Sequence, residues 1–265
     1  MRPRLVNSLH TALMALNRVN ILDVPIDAVT EQAAMERIRG FLSDGRQHLV
    51  TTPNPEMLVL AHKDGRFRSI LSEAGLNLPD GAGLLWAAKR RGTPLPARVT
   101  GVDFTERLAA LAAQTGLRLF LLGAAPGIAE RAASYLARKY PGLTVVGAES
   151  GGKMSRDSRG IFRLESDEVI GRIRNAAPDI LLAAFGHGRQ EGWIVAHLAE
   201  LPSVKVAMGI GGTFDYLAGT VPRASGLMRH LGLEWLYRFW REPWRWRRMF
   251  DALIVFPWLV WRSKT

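Results

Sequence analysis

Apolar residues in this chain fall into short unbroken runs that alternate with stripes of helical spacing. The runs are Val24–Asp27, His48–Thr52, Leu76–Leu78, Leu117–Leu122, Thr144–Val146, Asp179–Phe185 and Val204–Met208. They predict strands, and the near-continuous run Leu117–Leu122 reads as one buried on both faces. Between them, Val29, Ala33, Met35, Ile38, Phe41 and Leu42 recur at three- and four-residue steps and predict a helix over Ala28–Leu42. Further helices are expected over Pro55–His62, Arg66–Ser72, Gly81–Arg91, Asp103–Gln114, the stretch from Gly127 to Lys139, Asp167–Asn175 and Gln190–Glu200. Residues 150–164 carry no clear pattern, and Gly209–Asp215 reads as a loop.

Strands alternating with helices across turns this short predict an α/β fold, a Rossmann-like parallel sheet with helices on both faces. After Gly219 the pattern changes. Strand-like runs stop, and charged aromatic helices are expected over Gly226–Trp240 and Pro243–Phe256. A boundary near Val221-Pro222 divides the chain into an α/β domain, 1–220, and a C-terminal helical, basic and aromatic appendage, 221–265.

Composition alters this picture mainly at the C-terminal end. The chain has 265 residues, no cysteine and a formal net charge of +11. The missing cysteines exclude a disulfide scaffold and thiolate metal sites. From Arg223 onward nine basic residues face three acidic ones, and six of the eight tryptophans lie there. A basic, tryptophan-rich end suits an anionic membrane surface first and nucleic acid second. Arg241, Arg245, Arg247, Arg248, Trp244 and Trp246 are the expected membrane-binding residues. The longest uncharged apolar run there, Ala252–Trp261, is too short to span a bilayer, which needs about 20 residues. The N-terminal segment lacks the apolar core and cleavage site of a secretory signal and reads as an ordinary leading segment.

Polar residues gather where strands give way to helices, the edge at which open α/β sheets bind ligands. Thr51, Thr52 and Asn54 follow one strand, Asp80 follows the next, and Arg98, Thr100 and Asp103 precede another helix. Gly186-His187-Gly188 and Gly209–Asp215 are glycine turns at later strand ends. Asp80 admits two readings, a helix N-cap and a general base at the mouth of a cleft. Asn54, Thr52 and Asp215 likewise have capping readings, Gln190 a solvated one, and Arg98 that of a surface charge. The turn Gly123–Gly127 lacks the full G-x-G-x-x-G spacing and is a weak phosphate-loop signal.

Six stretches in order resemble the WecG/TagA/CpsF family of bacterial glycosyltransferases over about residues 20–250. They are Thr52–Glu56, Leu78–Gly81, Arg98–Asp103, Phe185–Glu191, Gly211–Asp215 and Leu231–Arg238. One departure is His187-Gly188, where many members read G-x-P-x-Q. The resemblance implies an inverting, metal-independent transfer of a hexose or N-acetylhexosamine from a UDP-sugar to a polyprenyl-diphosphate-linked saccharide. It places the protein peripherally on the cytoplasmic face of the bacterial inner membrane, in cell-surface or exopolysaccharide biosynthesis. Asp80 would be the base and Arg98 a grip on phosphate. Thr52, Asn54, Thr100, Asp103, Gln190, Gly186, Gly211, Gly212 and Asp215 would contact substrates. No cofactor and no metal are implied, no nucleic-acid partner is expected, and a homo-oligomer is left open. The D-x-D pattern of metal-dependent transferases and H-x-x-x-H spacing are both absent from the sequence. The competing readings are a dinucleotide-binding oxidoreductase resting on Gly123–Gly127, a nucleic-acid-binding protein resting on the tail, and a catalytically silent scaffold.

Overall fold

A computed structural model describes residues 17–166, 168–226, 228, 236, 237 and 246–263. It begins with an antiparallel hairpin of β1 (Arg18–Ile21) and β2 (Val24–Asp27), joined by Leu22 and Asp23 at positive φ. Positive φ at both central residues gives a hairpin turn the handedness that matches strand twist. Helix α1 (Glu31–Ser43) follows, capped by Thr30, whose side chain accepts from the Ala33 N–H.

Next come β3 (His48–Thr51), α2 (Pro55–Lys63), α3 (Gly65–Glu73), β4 (Leu76–Asn77), α4 (Ala82–Arg90) and α5 (Gly101–Thr115). Asn54 caps α2, with Pro55 in its first turn, and Asp64 caps α3. Then follow β5 (Arg118–Gly123), α6 (Ile128–Lys139), β6 (Thr144–Glu149), β7 (Met154–Arg156), β8 (Phe162–Leu164), α7 (Glu168–Ala176) and β9 (Ile180–Ala184). Helix α8 (Arg189–His197), β10 (Val206–Gly209) and α9 (Thr213–Leu217) complete the α/β portion.

The main sheet has the strand order β4-β3-β10-β9-β5-β6, and every neighbouring pair is parallel. Side chains alternate between its faces with the period of two that a strand imposes. Leu119, Leu121, Ile180, Leu182, Val206 and Met208 meet α1, α5, α6 and α9 through Ile38, Phe104, Leu108, Leu136 and Phe214. Phe120, Leu122, Leu181, Ala183 and Ala207 meet α7 and α8 through Val169, Ile173, Trp193 and Ile194. The expected parallel sheet covered on both faces is therefore present.

Two hairpins were not expected from the sequence. The β1–β2 hairpin is fastened to the sheet edge by Asp27, which is fully buried. Its carboxylate accepts from Arg18 Nε at 3.1 Å, Arg37 Nη1 at 2.8 Å and the Asn77 backbone N–H at 2.7 Å. A buried carboxylate with that many donors is compensated for its lost hydration. The β7–β8 hairpin lies within residues 150–164, where no pattern was legible.

Near the C-terminus one continuous helical segment runs through α10 (Trp246–Phe250), a π-helical turn (Asp251–Val255) and α11 (Phe256–Arg262). In the π turn the Phe256 N–H reaches the carbonyl of Asp251, five residues back. Pro257 follows at once, and proline needs room at the carbonyl four residues before it. The inner side of this segment belongs to a third hydrophobic cluster. Phe256 and Val260 pack with Met57, Leu58, Leu84, Ala87 and Ala88 of α2 and α4. Its outer side is bare: Trp246, Phe250, Ile254, Trp258 and Trp261 are all exposed. Most of the expected helices Gly226–Trp240 and Pro243–Phe256 up to residue 245 lies outside the described residues, as does the leading segment before Asn17. Arg241, Trp244 and Arg245 also lie outside them. No helix among the described residues is long and apolar enough to cross a membrane.

Candidate functional site

A cavity of about 500 Å³ opens over the carboxyl ends of β4, β3, β10 and β9. That volume lies in the range of small-molecule sites, and the position is the one where parallel α/β sheets bind ligands. Its floor is made where each strand hands over to a helix. Asp80 contributes from the end of β4, Thr52 and Asn54 from the end of β3, and Gly211 and Gly212 from the turn after β10. Gly186, His187 and Gln190 come from the turn after β9, and Arg98 and Thr100 from the loop before α5. The outer wall comes from the C-terminal segment, with Arg248, Met249, Leu253 and Phe256, and from Trp86 of α4.

Asp80 does not occupy the N-cap position of α4. The residue before α4 is Gly81, at φ 110°, with no side-chain cap. The Asp80 backbone N–H donates to the Pro53 carbonyl at 2.9 Å, tying its turn to the end of β3. Its Oδ2 instead accepts from the Gly101 N–H at 3.4 Å, at the start of α5. Asp80 is half-buried, so its carboxylate stays reachable from the cavity. Arg98, also half-buried, is held beside it because the Val99 N–H donates to the Pro79 carbonyl at 2.8 Å.

Several candidates carry local structure as well as lining the cavity. Asn54 Oδ1 accepts from the Met57 N–H at 2.9 Å and so caps α2. Thr100 caps α5 by accepting from the Asp103 N–H at 3.2 Å, and its hydroxyl donates to Asp103 Oδ2 at 2.6 Å. Asp103 does not line the cavity; both its oxygens are held by Arg223, at 2.7 and 2.8 Å. Asp215 sits in the first turn of α9 and does not line the cavity either. Thr52 is nearly buried, and its hydroxyl faces Gly101.

Gln190 differs most from a solvated first-turn residue. It is buried, its Oε1 accepts from the Gly211 N–H at 3.0 Å, and its Nε2 donates to Glu191 Oε1 at 2.8 Å. Glu191 is fully buried, and its Oε2 accepts from the Gly188 N–H at 2.7 Å. Burial pushes the Glu191 carboxyl up to about 7, against the pull of the hydrogen bonds from Gln190, its own N–H and Gly188. No reading of the residues gave Glu191 a role; its position in the first turn of a helix reads as solvated or dipole-favoured. Trp86, Tyr216 and His187 also line the cavity, and His187 Nε2 lies 3.9 Å from Glu56 Oε2.

Of the expected membrane-binding residues, Trp246 and Arg247 are exposed, with the guanidinium 5.3 Å from the indole centroid. Arg248 is half-buried and faces the cavity instead. The Gly123–Gly127 turn lines no part of the cavity. Gly123 is needed for close packing, since a Cβ there would stand 2.6 Å from the Ala184 carbonyl oxygen. The dinucleotide reading thereby loses its one support. Among the described residues no group of three or more His, Asp or Glu side chains converges as a metal site would.

The chain is 34% identical over 209 residues to an N-acetylglucosaminyldiphosphoundecaprenol N-acetyl-beta-D-mannosaminyltransferase of Bacillus spizizenii, covering 79% of this chain and 77% of that one. Proteins of the same description in Bacillus subtilis and Staphylococcus aureus are 32% and 30% identical, covering 76% and 83% of this chain and 74% and 84% of theirs. The profile of the Glycosyl transferase WecG/TagA/CpsF family matches residues 19–265. With its cavity on the expected sheet edge and its length matched almost throughout, the chain belongs to the WecG/TagA/CpsF family and is a glycosyltransferase.

Proposed function

We propose that the protein transfers a hexose or N-acetylhexosamine from a UDP-sugar to a saccharide carried on a polyprenyl diphosphate, with inversion and without a metal. The observation that carries this is the shared cavity. A reachable carboxylate, Asp80, and a guanidinium, Arg98, face one space whose outer wall is a helix with a bare apolar side. The relatives' names supply the substrate class, an N-acetylmannosaminyl group moved to a lipid-diphosphate N-acetylglucosamine.

In the proposed reaction Asp80 accepts the proton of the acceptor hydroxyl as its oxygen attacks the anomeric carbon. The new C–O bond forms on the face opposite the departing UDP, and the glycosidic bond electrons leave with the diphosphate. General-base assistance of this kind needs a carboxylate within hydrogen-bond reach of the hydroxyl. Growing charge on the leaving diphosphate needs fixed cations. Arg98 is one, able to grip two oxygens at once, and Arg248 from the C-terminal segment is a second. Thr52, Asn54 and Thr100 offer hydroxyl and amide groups to the sugars.

The exposed tryptophans and Arg247 suit docking on the cytoplasmic face of the inner membrane, where the acceptor lipid resides. Indole rings favour the interface, and each arginine near an anionic surface contributes about 1 kcal/mol. Incubation of the protein with UDP-N-acetylmannosamine and a short-chain lipid-diphosphate N-acetylglucosamine tests the reading. Release of UDP that depends on both is the expected result. Release without acceptor, or none with any UDP-hexose or UDP-N-acetylhexosamine, refutes it.

A further inference from the structure

Two glycine turns form one side of the cavity, Gly186–Gly188 after β9 and Gly209–Gly212 after β10. They are joined by a buried polar chain that runs behind the cavity wall. Gly211 N–H donates to Gln190 Oε1 at 3.0 Å, Gln190 Nε2 donates to Glu191 Oε1 at 2.8 Å, and Gly188 N–H donates to Glu191 Oε2 at 2.7 Å. Gly188, at φ 81°, and Gly211, at φ 56°, have left-handed backbones that a side chain would strain. Packed against the pair is Gly209, where a Cβ would stand 2.6 Å from Gln190 Nε2 and 2.7 Å from Glu191 Oε1. The strand thus leaves room for these two side chains and nothing more.

The chain has a direction. The three groups that reach Glu191, the Gln190 amide, the Gly188 N–H and its own N–H, are all donors, so the site wants two acceptor oxygens. A carboxylate supplies both. Gln190 can then turn its single carbonyl oxygen toward Gly211 because its amide nitrogen is satisfied by Glu191. An acidic group kept buried with no charged partner, where an uncharged pair would fill the space, costs stability. The groups acting on Glu191 are Gln190, the Gly188 N–H and its own N–H, none of them charged.

The geometry points to Glu191 as a positioning residue: through Gln190 it fixes the separation of the two glycine turns, and with it the fit of the cavity to the diphosphate of the nucleotide-sugar donor. The donor is assigned to this wall because Gly186, Gly211 and Gly212 present backbone at the cavity surface, where a diphosphate can approach closely. This rests on the UDP-sugar reading above.

Glu191→Gln separates positioning from folding. It preserves the shape and removes one of the two acceptors, so either the Gly188 or the Gln190 amide faces another N–H. Gly209→Ala disturbs the same pair from the opposite side. UDP affinity by calorimetry, donor and acceptor KM, and melting temperature are measured for the wild type and both variants. Expected are a roughly tenfold weaker UDP Kd and a matching rise in donor KM in each folded variant. Acceptor KM should be unchanged, and the Asp80→Asn variant should show no such loss of UDP affinity. Folded variants with wild-type UDP affinity and donor KM overturn the assignment, as does an equal rise in both KM values. Failure of both variants to fold reduces the chain to a folding element and overturns it as well. A wild type that binds no UDP refutes the donor reading itself and this assignment with it, an outcome separable from failure of the variants alone.

Discussion

Arg223 grips the carboxylate of Asp103 with both terminal nitrogens, at 2.7 and 2.8 Å. The pair joins the segment beyond residue 220 to the first turn of α5, where Asp103 also receives the Thr100 hydroxyl. Asp103 is partly exposed, its side chain at 40%, so water screens the attraction. Arg223→Ala and Asp103→Asn should each lower stability by about 1 kcal/mol, and a double-mutant cycle should return a coupling of that order. Independent effects of the two changes, measured by denaturant unfolding, would show that the contact contributes nothing.

Asp80→Asn should retain the fold and UDP binding and reduce turnover by about two to four powers of ten. The amide preserves the size of the side chain and cannot take up the acceptor proton. Turnover near that of the wild type would remove Asp80 from the chemistry.

Transfer should persist in excess EDTA. Arg98 and Arg248 at the cavity are the proposed counter-charges to the diphosphate, the task a metal would otherwise perform. Activity lost on chelation and restored by Mg²⁺ or Mn²⁺ would show that those cations are insufficient.

The two sides of the C-terminal segment should separate by mutation. Phe256 is fully buried between α2 and α4, and Phe256→Ala should destabilise the protein by about 3–5 kcal/mol. Ile254, Trp258 and Trp261 are exposed, Trp261 at 69%. Replacing these three with Ser should leave the melting temperature nearly unchanged. The same change should weaken binding to anionic liposomes and slow transfer to a long-chain acceptor. Unaltered liposome binding would assign the bare face another use.

The proton of Glu191 should appear in the stability curve. Its carboxyl sits at about 7 in the folded protein, above the ordinary 4.5, so the folded state holds the proton more tightly than the unfolded chain. The contribution is complete below about pH 4.5 and is lost as pH rises through about 7, amounting to something on the order of 3 kcal/mol. Asp157 and Asp179, whose carboxyls are held low, act in the opposite sense and at more acid pH. The unfolding free energy of the wild type should therefore fall relative to that of Glu191→Gln as pH rises across 5–7.5, by about 1.4 kcal/mol per pH unit at most. Parallel curves would mean that Glu191 titrates normally.

The sheet was legible because buried parallel strands leave apolar runs that local reading detects. The sheet edge that carries Thr52, Asn54, Asp80, Arg98 and Thr100 was legible too, since strand-to-helix turns are marked by glycine, proline and capping residues. Strand β2 was legible as Val24–Asp27, but β1 and the pairing escaped because β1 is short and mixed in polarity, and the hairpin's anchor is a contact between Asp27, Arg37 and Asn77 that no window spans. Burial of Gln190 and Glu191 was hidden for a related reason. Polar residues in a first turn normally face water, and only the crossing of β10 at Gly209 encloses these two. Asn54, by contrast, caps α2 and also lines the cavity, so one side chain has both a structural role and a place in the candidate site.

The extra residue held in the π turn at Asp251–Val255 acts as a phase shifter for the segment around it. Each residue of an α-helix turns the side chain by about 100°. Were the same residues wound as a regular α-helix, without the widened turn, everything after it would rotate by up to about that angle relative to everything before. Met249 could then stay seated only if Phe256 and Val260 swung off α2 and α4, carrying Trp258 and Trp261 to a different bearing. The widened turn thus lets one helix satisfy two alignments at once, cavity wall upstream and core plug downstream. It also makes the winding at Asp251–Val255 the feature that sets the bearing of Phe256 relative to Met249.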